Sequence, residues 1–297
     1  MVKTMNFLRF LAAACAFALW APLAAQAAGS LGPAELRARH TTLAPRLAAN
    51  PYGPLVLQSE EVSRRIDGEV FAILDHPFPA VAAALSDPGQ WCDILILHLN
   101  TKYCRREQGK DAPRLDVRVG KKEPQAVEAA SLLAFIWRAP TVRDDYLLAQ
   151  LDAPVGPYDT KDYRILAEAV PLEDGRTFLH MGYALSYGGA SDFAMGLYLG
   201  TIGRNKVGFT RSPDARPGEE VFVGGMRGVV ERNTMRYYLA IDAYLDSLKA
   251  AADQQLEKRL QQWFDATEKY PKQLHEVERD AYLRMKRAEV QRQMVAR

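Results

Sequence analysis

The chain has 297 residues, 48% of them hydrophobic and 25% charged, with 38 Lys+Arg against 36 Asp+Glu. That is enough apolar material for one large packed domain or two small ones. The near-balance of charge argues against nucleic acid as a partner, because phosphate binding calls for a marked basic excess.

Residues 1–27 read as a secretory signal peptide. Lys3 and Arg9 carry positive charge with no acid nearby, and Phe10 to Ala21 is almost wholly apolar. That run is shorter than the roughly 20 residues a membrane-spanning helix needs. Ala25-Gln26-Ala27 supplies a small-x-small cleavage signal, so cleavage is expected after Ala27 and the product is expected to be periplasmic or secreted. The rival readings are an uncleaved anchor and a lipoprotein signal at Cys15, but Ala12-Ala13-Ala14 lacks the large aliphatic residue such a site prefers. Cleavage takes Lys+Arg from 38 to 36 against 36 Asp+Glu, which leaves no formal net charge. No later apolar run escapes interruption by charge, so no transmembrane span is expected after cleavage. Of three cysteines, Cys92 and Cys104 remain. In an oxidising compartment they read as one disulfide, worth roughly 3 kcal/mol by chain entropy. Two buried thiols are the alternative. Without histidines at ligand spacing they do not make a metal site.

Residues 28–53 form a lead-in, with a short helical run from Ala34 to Leu43 that Pro45 interrupts. Arg65 to Leu74 is rich in Val, Ile and Phe and predicts a strand, which Asp75-His76-Pro77 turns into a helix over Phe78 to Leu85. Asp87-Pro88 opens a second helical turn carrying Trp91 and Cys92, and Ile94 to Tyr103 is extended. Leu115, Val117 and Val119 alternate with polar residues, and Leu132–Trp137, Tyr146–Leu151, Tyr163–Val170 and Thr177–Tyr187 continue the strands. About six or seven antiparallel strands are predicted. The last one is apolar on both faces and needs a cover. The amphipathic helix over Val229 to Leu248 supplies it. Between them Gly188–Gly225 is rich in glycine, which reads either as a mobile lid or as an ordinary packed element with glycine turns. Residues 251–297 form a charged helical extension, divided by Pro271, whose narrow apolar faces need the body or a partner to pack on.

This order of elements resembles the helix-grip fold of the START and polyketide-cyclase (SRPBCC) superfamily. The resemblance covers residues 54–250. It rests on Val70-Phe71-Ala72-Ile73-Leu74-Asp75-His76-Pro77 leading into Phe78-Pro79-Ala80-Val81, and on Tyr163-Arg164-Ile165 with Arg176-Thr177-Phe178-Leu179 on paired strands. It implies an α+β fold, in which a curved antiparallel START-like sheet wraps a long C-terminal helix, and a hydrophobic cavity between the two. The superfamily has no universal catalytic residues, so the resemblance assigns none. The Gly188–Gly225 insertion and the helical tail depart from the simple pattern.

Familiar catalytic motifs are missing from the sequence: there is no Gly-x-Ser-x-Gly elbow, no phosphate loop and no His-Glu-x-x-His. His180, mid-strand among apolar neighbours, is the one weak catalytic candidate. The candidate ligand-binding residues are Trp137, Tyr163, Arg164, His180, Tyr183, Tyr187, Arg232 and Arg236. The phenols would supply a pocket's few polar groups, and an arginine at its mouth would fit a phosphate or carboxylate head group. On the helix, Arg227 and Glu231 stand at pairing distance. Three functions stay open: a periplasmic binding or transfer protein for a hydrophobic ligand such as a lipid, a cavity enzyme of the cyclase or hydrolase kind, and an envelope scaffold that meets a protein partner through residues 254–297. None of them implies a cofactor or a metal.

Overall fold

The computed structural model describes residues 29–50, 53–189, 206–213, 216 and 218–295. The expected signal peptide with its cleavage site, and residues 190–205, 214, 215 and 217 of the glycine-rich segment, lie outside these. Eight strands form one sheet: β1 (Leu55–Val62), β2 (Arg65–Leu74), β3 (Thr101–Glu107), β4 (Arg114–Val119), β5 (Ser131–Arg143), β6 (Tyr146–Val155), β7 (Thr160–Pro171) and β8 (Thr177–Tyr187). Their order is β1-β2-β8-β7-β6-β5-β4-β3, and every neighbouring pair is antiparallel.

The extra strand relative to the sequence prediction is β1. It joins β2 through Ser63 and Arg64, which sit at φ 51° and 66°. A tight hairpin turn wants positive φ at both central positions, and glycine or asparagine normally announces it. Here neither residue type is present, so the turn leaves no mark in the sequence.

Helices α2 (Phe78–Leu85) and α3 (Pro88–Leu95) follow β2. The side chain of Asp87 caps α3 by accepting from the Gly89 amide at 2.7 Å. The expected extended run from Ile94 is a correction: α3 continues to Leu95, and the chain turns before β3 begins at Thr101. The short apolar run Ile94–Leu97 suits a buried helix end as well as a strand.

The long helix α4 (Gly225–Ser247) lies across the inner face of the sheet against β1, β2 and β8. Gly68 of β2 leaves room for the helix to approach the sheet. A Cβ there would overlap Thr234 Oγ1 and Val230 Cγ1 of the helix. Leu179, Met181, Tyr183 and Leu185 of β8 bury on this side together with Val230, Ile241 and Leu245.

The outer face has its own cover, which the sequence reading did not assign. Helix α1 (Pro33–Ala49) buries Leu36, Leu43 and Leu47 against Val56, Phe71, Val170 and Phe178. At about 1.5–3 kcal/mol for each fully buried leucine, this layer stabilises the sheet substantially. The helix runs through Pro45 rather than ending there. Leu43 and Leu47, on either side of it, are both buried, and their packing offsets the lost backbone hydrogen bond. Both faces of β8 are thus dry because two helices, one from each end of the domain, cover it.

The tail is not an arm. Helices α5 (Gln255–Thr267), α6 (Pro271–Leu274) and α7 (Arg279–Val295) put Leu260, Trp263, Phe264, Leu274, Tyr282 and Met285 into the same core as the sheet. Trp263 donates its indole N–H to Arg236 O at 3.1 Å, and Tyr282 donates its hydroxyl to Leu97 O at 3.0 Å. Gln293 Oε1 accepts from the Cys104 amide of edge strand β3 at 3.1 Å. Its amide side chain thereby blunts an edge that would otherwise present unpaired backbone.

Candidate functional site

The inner face of β7 and β8 presents Tyr163 and Tyr183, whose rings lie 6.3 Å apart. Tyr183 meets Tyr237 of α4 at 5.3 Å, and Tyr237 stacks on His98 at 5.0 Å. Burial pushes all three phenols up, Tyr183 well above its ordinary value. His98 is held neutral. Its Nδ1 accepts from the Asn100 amide at 3.1 Å, so the proton sits on Nε2 and is offered to Asn233 Oδ1 at 3.3 Å. Burial, followed by Arg236 and Lys286, holds its pKa well below the usual imidazole range.

Asn233 and Tyr237 stand one turn apart on α4, facing the sheet, and both keep accessible surface. Phe209, Met226 and Tyr187 are likewise half-buried against the core.

A second stripe of α4 carries Arg232 and Arg236, each buried to 2% exposure. Arg236 Nη2 reaches Glu276 Oε1 at 2.9 Å and Leu274 O at 3.3 Å. Lys122, from the loop after β4, meets the same carboxylate at 2.6 Å, and Lys206 approaches it at 3.8 Å. Arg232 donates to Val207 O at 3.2 Å. Burial first, then Arg236, pushes Lys122 down to about 8. Glu276, which burial alone would push up, is held below its usual value by Arg236 and Lys122.

The neighbouring Glu231 faces another way. Its Oε1 accepts from Ser59 Oγ, and its Oε2 accepts from the amides of Phe209 at 2.5 Å and Thr210 at 2.9 Å. Arg227 lies 3.9 Å from it, in the pairing that the helical spacing predicts. Glu231 thereby fixes the small hairpin in which Arg211 bridges Phe222. This described part of the glycine-rich segment is a packed element joined to α4 by a buried carboxylate.

Of the residues singled out in the sequence, Tyr163, Tyr183, Arg232 and Arg236 converge around α4. Tyr187 lies on the same face at the end of β8 and donates to Glu61. Trp137 is also on the inner face, but it is core, packed 6.2 Å from Trp91. Arg164 and His180 are corrections. Arg164 is on the outer face beside Asp152, at 3.4 Å. His180 is on the outer face under α1, stacked on Phe71 at 4.4 Å, with Glu168 at 2.8 Å and Glu69 at 3.0 Å. Side chains alternate along a strand, so even-numbered residues of β8 cannot share the face of Tyr183. An acid–base pair of His180 with an inner-face tyrosine is therefore ruled out by the thickness of the sheet.

The sequence reading did not assign Lys122, Lys206, Asn233, Tyr237 or Glu276 to the site, and it put His98 on a strand with no partner near it in sequence, where the structure has it in the turn before β3. The pair Asn233 and Tyr237, in step with Arg232 and Arg236 at four-residue spacing, was the available signal on α4. Lys122 and Glu276 come from loops, and nothing local marks them.

Among the described residues no group of His, Cys, Asp and Glu could hold a metal ion, and no helix is long and apolar enough to cross a membrane. Cys92 and Cys104 form a disulfide with a Cα–Cα distance of 5.2 Å.

No protein-family signature and no curated protein matches the sequence. Among solved structures, human StAR-related lipid transfer protein 5 is similar at 9% identity and a TM-score of 0.37, over 74% of this chain and 100% of its own. The Zhui aromatase/cyclase from Streptomyces sp. R1128 is similar at 10% identity and a TM-score of 0.33, over 67% of this chain and 94% of its own. Ara h 8.0201 is similar at 12% identity and a TM-score of 0.37, over 62% of this chain and 99% of its own. The eight-stranded antiparallel sheet with α4 laid across its inner face itself gives this chain the helix-grip architecture.

Proposed function

We propose that this protein binds a hydrophobic small molecule of the lipid class between the sheet and α4, and carries or stores it outside the cytoplasm. One observation carries the reading. Tyr237 and Asn233 sit deep between helix and sheet, beside Tyr183, and still keep accessible surface. Apolar walls with a few phenol and amide groups are what small-molecule pockets use. The Cys92–Cys104 disulfide supports an oxidising compartment, in agreement with a signal peptide cleaved after Ala27. The tail supports binding over scaffolding, because Leu260, Trp263, Phe264, Leu274, Tyr282 and Met285 are covered by the body, and of its large apolar residues only Met294 and Val295, at the end of α7, are strongly exposed among the described residues.

The test is native mass spectrometry of the full chain recovered from a bacterial periplasm, followed by solvent extraction. The expected result is an intact mass starting at Ala28, with bound mass that solvent removes and that extracts as lipid. A ligand-free protein that takes up no fatty acid or phospholipid when titrated would overturn the binding reading. Retention of residues 1–27 in the recovered protein would overturn the export reading.

A further inference from the structure

Tyr282, Tyr146, Tyr244 and Tyr163 each give their hydroxyl proton to an acceptor on the chain, respectively Leu97 O, Glu168 Oε2, Gln90 Oε1 and Thr160 Oγ1, at 2.7–3.0 Å. Tyr183 and Tyr237, whose rings meet at 5.3 Å, do not: neither hydroxyl donates to any atom of the described residues. Tyr238 shares this lack but stands apart, toward Asp242 and Tyr270. Tyr183 is only 5% exposed, and a polar proton left without an acceptor away from water is a cost to the fold.

A third donor comes from α4. His98 Nδ1 accepts from the Asn100 amide, so Nε2 carries the proton and Asn233 must meet it with Oδ1, at 3.3 Å. That settles which way the amide is turned. The Asn233 oxygen is taken, and its amide hydrogens act on the Tyr183 hydroxyl as donors. Tyr163 and Tyr237 reach Tyr183 electrostatically but not as hydrogen-bond partners. Donors therefore gather between β8 and α4, and the two phenol protons find no acceptor among the described residues.

We propose that Tyr183 and Tyr237, with Asn233 beside them, seat the carbonyl oxygen of an uncharged ketone or ester group on the bound molecule. This rests on the binding reading above and names the polar group that the ligand presents. A carbonyl oxygen has two lone pairs and no proton, so it accepts from both phenols and offers no donor in return. A pure hydrocarbon would leave both protons unanswered, and the seat discriminates against it for that reason. The groups of the seat are themselves uncharged, since His98 is neutral and burial holds both phenols protonated, which matches an uncharged oxygen.

The experiment titrates the full chain with 2-decanone and with 2-methyl-1-decene, in which a methylene replaces the carbonyl oxygen, each read by displacement of 1-anilinonaphthalene-8-sulfonate. Tyr183→Phe and Tyr237→Phe are run beside it, because each removes a hydroxyl and keeps the ring. Each variant is expected to weaken the ketone about three- to tenfold, as loss of one neutral hydrogen bond does, and to leave the alkene unchanged. The C=O stretch of bound, carbon-13-labelled 2-decanone should lie below its value in hydrocarbon solvent and return toward it in the double variant. Without ligand, both variants should melt no lower than the parent, whereas Tyr282→Phe, which loses its bond to Leu97 O, should melt lower. Equal effects on ketone and alkene, or a carbonyl stretch unmoved by the double variant, overturn the carbonyl seat and leave the apolar pocket standing. A ligand-free loss in Tyr183→Phe or Tyr237→Phe as large as that in Tyr282→Phe shows that the chain itself holds the hydroxyl, and overturns the seat as well. Failure of ketone, alkene and dye alike to bind overturns the binding reading and the seat with it.

Discussion

His180 Nδ1 lies 2.8 Å from Glu168 Oε1, across the ladder between β7 and β8 and on the side of the sheet away from α4. The other ring nitrogen faces Glu69 Oε1 at 3.0 Å. With a carboxylate at each end, both nitrogens keep their protons and the ring is an imidazolium. Glu168 also accepts from the amides of Leu31 at 2.8 Å and Gly32 at 3.1 Å, and from the Tyr146 hydroxyl at 2.7 Å. A single buried carboxylate therefore joins β6, β7 and β8 to the start of α1.

Replacing His180 with Gln leaves Glu168 buried with no cation against it. Breaking such a pair by removing one partner costs about 3–5 kcal/mol. We expect His180→Gln to lower stability by an amount near the lower end, since three other donors remain on Glu168. Amide hydrogen exchange in residues 33–49 should rise more than in β5 and β6. Equal loss of protection throughout the sheet would show that α1 is not the part released.

The same cluster sets a pH window. His180 is raised: burial opposes the charge, but the hydrogen bonds it donates to Glu168 and Glu69 outweigh it. Glu168 and Glu69 are lowered: burial pushes them up, and the bonds to His180 win. The His180 contribution is complete below the ordinary imidazole value of 6.5 and disappears as pH rises through its higher folded value. The carboxylate contribution is complete above 4.5 and disappears as pH falls. Protection of α1 should therefore be greatest between these limits and fall on both sides. In His180→Gln the alkaline fall should vanish.

Lys102 and Lys286 are both fully buried, and both bind Glu289, at 3.1 and 2.8 Å. Lys286 also donates to His98 O at 2.6 Å and Thr101 O at 2.8 Å, which fastens α7 to the turn before β3. Burial pushes Lys286 down to about 8 even with Glu289 beside it. Glu289→Gln removes the one acid from two buried lysines and should cost about 3–5 kcal/mol in a denaturant titration. Ending the chain after Ala250 should abolish the cooperative transition altogether. A soluble, two-state fragment 28–250 would refute the integration of the tail into the core.

The disulfide ties α3 to β3 across 12 positions of sequence. Constraining a loop of that size is worth about 3 kcal/mol in the unfolded state. Cys92→Ser with Cys104→Ser should lower the unfolding free energy from a denaturant titration by about that amount, and reduction of the parent protein should reproduce the loss. Because Cys92 and Cys104 are both inside the core, the reductant should act only as the protein opens.

At the far end of α4, burial raises Asp242 to about 6, helped by Asp246. Asp246 lies 3.5 Å from His76, whose own pKa burial lowers. A carboxyl raised in the folded state loses stability as pH rises from 3.8 through about 6. Asp242→Asn should therefore raise the melting temperature more at pH 7.5 than at pH 5. No difference between the two would show that Asp242 ionises as it does in water.

Local physics made much of this fold legible. The run Arg65–Leu74 and the alternation through Thr177–Tyr187 appear as strands with those bounds, and Phe78–Leu85 appears as a helix. Each is set by side-chain pattern and by a proline or an aspartate at its edge. The arginine pair Arg232 and Arg236 was legible too, from spacing alone. What the sequence could not determine was sidedness. His180 and Tyr183 are three residues apart in an apolar strand, and only the arrival of α1 on one face and α4 on the other makes one a clamp and the other a pocket wall. The remaining members of the site, Lys122, Lys206 and Glu276, are far apart in sequence and on irregular segments. Chain closure, not local preference, brings three charges to within 4 Å of one carboxylate. The tail shows the same limit. Its narrow apolar stripes required something to cover, and whether that was this body or another was decided by the buried fit of Trp263, Tyr282 and Lys286.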